Sequence, residues 1–133
     1  MSTRRKLLIF FLGLFVVLIV FAVVFVNMTQ RSLEKLNDTP INMPDLMNIE
    51  DGEYTGRYRV FPVMAEVVVK VRDHQITEIV LVEHNHGRGY DGEAIIDTVV
   101  EQQSLDVDVI SGATYSSKVI LLAIEDALSG SSD

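Results

Sequence analysis

Leu7 to Val26 runs for twenty residues, LLIFFLGLFVVLIVFAVVFV, without a charge, and beyond it apolar and polar residues alternate with a period that changes along the chain. At about 1.5 Å per residue an apolar helix of that length spans roughly 30 Å, the thickness of a bilayer's hydrocarbon core. A cleaved signal peptide has a shorter apolar core and a small-x-small site after it. Here the run ends in Val-Asn-Met-Thr-Gln, so an uncleaved transmembrane helix is predicted over residues 7–28. Arg4, Arg5 and Lys6 form a basic stub at residues 1–6, against Arg31 and Lys35 on the far side, where Glu34 and Asp38 are mixed in. The positive-inside rule then sets the N-terminus in the cytoplasm and the rest outside it, a single pass through the cell membrane.

Residues 29–50 read as an extracytoplasmic linker. Ser32 to Asn37 extend the helix by a turn or two before Pro40 and Pro44 end regular structure. From Tyr54 the period becomes two. Tyr54 to Val60 is a first strand and Val63 to Arg72 a second, with Ala65, Val67, Val69 and Val71 on one face and Glu66, Lys70 and Arg72 opposite. Asp73-His74-Gln75 makes a tight turn into a third strand, Ile76 to Glu83. The run from His84 to Tyr90, with Gly87 and Gly89, marks a shaped loop. Ala94, Ile95, Thr98, Val99 and Gln102 then predict a helix over 91–103, followed by a short extended piece to Ile110. A final helix over 116–128 buries Val119, Ile120, Ala123, Ile124 and Ala127, and residues 130–133 form a frayed tail. The fold class is α+β: an antiparallel sheet with helices packed on it, preceded by a single N-terminal transmembrane helix.

Charge narrows the function. Eleven Lys and Arg face nineteen Asp and Glu in the whole chain; three of the basic residues precede the span, which leaves eight against nineteen beyond it. Such a balance disfavours nucleic acid, whose phosphates need clustered positive charge. The absence of Cys excludes disulfides, thiolate metal sites and iron–sulfur clusters.

The segment Ser111 to Ser117 holds the candidate chemistry. Gly112 lets the backbone turn sharply, and Ser111, Thr114, Ser116 and Ser117 crowd hydroxyls just ahead of a helix. Unpaired N–H groups at a helix start attract an anion such as phosphate; the plainer alternative is capping by Ser or Thr. A hydrolase using Ser111 or Ser116 is a distant third reading, since no Gly-x-Ser-x-Gly elbow is present. His84 and His86, two apart, point the same way, but zinc wants a third ligand that only His74 or a carboxylate is left to supply.

The run Asp108-Val109-Ile110-Ser111-Gly112-Ala113-Thr114 resembles the motif of the extracytoplasmic FMN-binding domain family. That family includes the C subunit of the sodium-pumping NADH:quinone reductase and the G subunit of the related ferredoxin-linked electron-transport complex. The resemblance extends through Asp51-Gly52-x-Tyr54-x-Gly56, the strand pair, the Gly-Arg-Gly of 87–89 and the closing helix, so it covers about 51–128 and marks 51–129 as the FMN-binding domain. It implies an FMN cofactor that a flavin transferase esterifies through its phosphate to Thr114, with Asp108, Ser111, Gly112 and Ala113 as the recognition frame. Arg88 is expected at the phosphate or beside the ring, or else as a solvated loop charge. His84 and His86 either meet the isoalloxazine or are polar loop residues, and Tyr90 is either a ring platform or a packing residue at a helix start. The respiratory subunits are longer than this anchor, spacer and minimal domain, which points to a stand-alone carrier or an accessory subunit.

The leading expectation is therefore an anchored electron-transfer flavoprotein rather than an enzyme with its own substrate. It would pass electrons from a membrane redox donor to an extracytoplasmic acceptor. The alternatives are a non-covalent FMN-binding protein and a non-redox accessory subunit.

Overall fold

The computed structural model describes residues 2–85 and 90–130. The chain splits into two compact units, residues 1–32 and residues 33–133. The first is helical and belongs to α1 (Thr3–Asp38), whose apolar residues from Leu7 to Met28 are exposed along almost the whole length. Among the described residues it is the one helix long and apolar enough to cross a membrane. An apolar surface of this extent has no stable place in water. It is compatible with a single-pass anchor.

The second unit is built on a three-stranded antiparallel sheet in the order β1 (Gly52–Val60), β2 (Val63–Arg72), β3 (Gln75–Asn85). The turn between β2 and β3 places Asp73 and His74 at positive φ, 51° and 60°, the twist that a two-residue hairpin needs. Alternation on β2 is as the pleat requires. Val63, Ala65, Val67, Val69 and Val71 are buried, while Glu66 and Lys70 face out and pair across the strands with Arg57 and Glu78. Fully burying one such valine contributes on the order of 1.5–3 kcal/mol, so this face is the energetic centre of the sheet.

α3 (Thr114–Ser129) lies on β1 and β2. It comes so close at Gly56 that a Cβ there would collide with the Ala123 carbonyl and sit 2.7 Å from the Ala127 side chain. The expected buried face is buried, and so are Leu121, Leu122 and Leu128. The second side of the helix is covered by the segment before the sheet. Leu36 and Ile49 are fully buried in the same core, with Ile41, Met43 and Leu46 packed against it. Asn42 donates its N–H to Glu125 at 3.1 Å, and His74 Nδ1 meets the Leu46 carbonyl at 3.1 Å.

The helix expected over 91–103 forms as a 3-10 turn, Tyr90–Ala94, and a shorter α2 (Ile95–Gln102). Gln103 ends α2 in the left-handed region at φ 53°. Its side-chain amide accepts the Ile76 N–H and donates to the Ile76 carbonyl, both at 2.7 Å. An amide side chain thus continues the sheet where, among the described residues, no fourth strand pairs with β3.

Candidate functional site

Ile110 to Ala113 is a tight turn, closed by the Ala113 N–H donating to the Ile110 carbonyl at 2.9 Å. Gly112 sits at φ +80°, the left-handed region that the third position of a type II turn demands and that costs another residue roughly 1–2 kcal/mol. An added Cβ there would meet nothing within 4 Å, so the backbone angle and not space calls for glycine. Ala113 occupies the N-cap of α3 and has no side chain to cap with. Ser117 instead ties the turn to the helix: its Oγ donates to the Ala113 carbonyl at 2.7 Å and accepts the Ile110 N–H at 3.1 Å.

Thr114 is the first residue of α3, and it is exposed. The Ser117 N–H makes the first bond of the helix, to Ala113, so the amides of Thr114, Tyr115 and Ser116 lie ahead of it with the positive end of the helix dipole. Beside Thr114 runs a groove of about 780 Å³, lined by Thr114 and Lys118 of α3, by Asn37 and Asn42, and by Val107 and Val109. That volume falls within the range of pockets that hold cofactor-sized molecules. Lys118, one helical turn beyond Thr114, brings an ammonium to the same side and donates to the Asn37 carbonyl.

The four hydroxyls of this segment separate by burial. Ser111 and Thr114 are exposed; Ser116 and Ser117 are buried, at 2% and 0%. Ser116 Oγ lies 3.1 Å from Nε2 of His84, and Nδ1 of the same ring lies 3.0 Å from Glu93 Oε1. A carboxylate accepts only, so Nδ1 carries a hydrogen towards Glu93, while Nε2 shares a hydrogen bond with the Ser116 hydroxyl. The order serine, imidazole, carboxylate is that of a hydrolytic triad. Yet Ser116 is sealed inside the first turn of α3, where an incoming substrate has no way to it.

Of the residues expected to hold the cofactor, Asp108 is exposed in the extended piece before the turn, Ser111 and Gly112 form the exposed turn, Ala113 is buried and Thr114 starts the helix. These five lie within one seven-residue stretch of the chain. His84 differs from expectation: β3 continues through it to Asn85, with His84 opposite Ala65, and its side chain is only 2% exposed. It is a strand residue whose side chain is buried with both ring nitrogens engaged, not part of the loop. Tyr90 opens the 3-10 turn. His86 and Arg88 lie outside the described residues. Glu93, Ser116 as a hydrogen-bond partner, and Lys118 were missed; for Lys118 the i+4 spacing from Thr114 was a usable signal.

A family model described as an FMN-binding domain matches residues 62–129, just over half of the chain. No curated protein and no solved structure matches it.

Proposed function

This chain belongs to the family of FMN-binding domains, and from that premise we propose that it is a membrane-anchored electron carrier whose FMN is esterified through its phosphate to Thr114. The cofactor is FMN, which supplies the redox chemistry when bound. The chain's own residues tether, orient and shield. The observation that carries the attachment is the exposed hydroxyl of Thr114 at the head of α3. Ser116 and Ser117 are buried and already hydrogen-bonded, so a transferase reaching into this segment meets Thr114 and, in the turn, Ser111. The amides at the start of α3, together with the ammonium of Lys118, favour a phosphodiester anion there. That matters on a chain with a net charge of -8.

Residues 33–133 face the extracytoplasmic side in this reading. The partners are a flavin transferase, a membrane redox donor and an extracytoplasmic acceptor, and anchoring raises the effective concentration near the donor.

The intact mass of the denatured protein from its native membrane, compared with Thr114→Ala, tests the proposal. A mass increase of one esterified FMN in the wild type, absent from the variant, is the expected result. An unmodified wild type with flavin absorbance in the native state would make it a non-covalent FMN protein. Without flavin absorbance the accessory-subunit reading would replace electron transfer.

A further inference from the structure

The first turn of α3 is held twice. One hold is local, Ser117 against Ile110 and Ala113. The other reaches across the fold: Ser116 meets His84, 32 residues away on β3, and His84 is held in turn by Glu93 of the 3-10 turn. That turn presses on the same place, since a Cβ on Gly92 would lie 2.9 Å from the Ser116 Cβ and 3.1 Å from the Ser117 nitrogen. Three elements therefore converge on one buried imidazole, bonded to Ser116 two residues along from Thr114. A packing residue would fill this space without polar atoms. A buried imidazole with both nitrogens bonded fixes the rotation and depth of what it touches, because a misaligned bond in a dry site leaves polar groups unsatisfied.

Resting on the attachment at Thr114, we propose that His84, oriented by Glu93, is a positioning residue for that attachment: it holds the Ser116 hydroxyl and so sets the first turn of α3 with Thr114 outward. The reaction it serves needs an activated flavin phosphate, and the anhydride of a flavin dinucleotide provides one. Thr114 Oγ attacks the phosphorus on the riboflavin side, forming the P–Oγ bond. The anhydride P–O bond breaks, a nucleoside monophosphate leaves with the bridging oxygen, and the hydroxyl proton passes to a base of the transferase. No electrons change hands. Such a displacement requires the attacking oxygen within about 3–3.5 Å and in line, so a turn free to rotate is a poor acceptor. His84 touches none of the reacting atoms.

Two replacements divide the imidazole's contacts. Glutamine places its amide where Nε2 lies and keeps a partner for Ser116; asparagine places its amide where Nδ1 lies and keeps a partner for Glu93. Ser116→Ala removes a single oxygen and leaves the packing intact. The full-length protein in detergent micelles is treated with a purified flavin transferase and flavin dinucleotide, and modification is followed by intact mass. Circular dichroism and thermal unfolding of each variant serve as the folding control. Expected is modification of His84→Gln at close to the wild-type rate, with His84→Asn and Ser116→Ala slowed about tenfold while still folded. Wild-type rates in His84→Asn and Ser116→Ala would overturn the positioning role, and so would equal losses in the glutamine and asparagine variants. A wild type that takes no flavin would overturn the attachment at Thr114 itself, and this inference with it.

Discussion

Thr114 was singled out by the likeness of Asp108 to Thr114 to the FMN-binding motif, and the features that support the proposed attachment there are local. Gly112 supplies the positive φ, Ala113 the uncapped helix start, and Thr114 the first exposed hydroxyl after it. A direct consequence concerns Gly112→Ala, which forces an L side chain to φ +80° in otherwise open space. It is expected to cost about 1–2 kcal/mol and to lower the fraction of protein carrying flavin. Chemical denaturation read beside intact mass checks both effects. A stable variant with full flavin load would mean the turn relaxes without moving Thr114. His84 was not legible in this way. A histidine at the end of an alternating run looks the same whether its ring lies in a loop or beneath a helix. Its partners, Glu93 and Ser116, are nine and 32 residues away.

At the level of elements, periodicity predicted the strands well because each has one dry face and one wet face. The bounds of β2 agree, and β3 runs two residues further than the alternation suggested. The helix over 91–103 was overestimated. Gly92 lies where the chain presses on α3, and the segment before Ile95 takes the tighter 3-10 winding. β1 and α3 meet at Gly56, which shows in the sequence only as a glycine in a strand and which tertiary contact turns into a requirement. Gly56→Ala must push the backbone of α3 away from the sheet at Ala123 and Ala127. Overpacking of this kind costs on the order of 3 kcal/mol. A large fall in thermal midpoint is expected, with no such fall for alanine at the exposed Gly130, where nothing lies within 4 Å.

At the scale of the whole molecule, the segment before the sheet changes the definition of the folded unit. Composition suggested a spacer over 29–50, with its prolines and mixed charge. In the structure the compact unit begins at Leu33, and Leu36 and Ile49 are fully buried in its core. Leu36→Ala is therefore expected to destabilise this unit by about 2–5 kcal/mol. A soluble fragment starting at residue 51 should unfold at lower denaturant than one starting at residue 33. Equal midpoints for the two fragments would show that the segment adds no stability.

An unbroken apolar run, a strict alternation of valines and a glycine-bearing turn ahead of a helix are short-range signals. They were enough to give the long apolar helix, the antiparallel sheet and the likeness to an FMN-binding domain before any contact was known. The cover on the second side of α3, the core places of Leu36 and Ile49, and the burial of His84 against Ser116 came with the folded chain. Each of these depends on partners far apart in sequence, and burial is a property of what the rest of the chain brings to a residue, which no local pattern records.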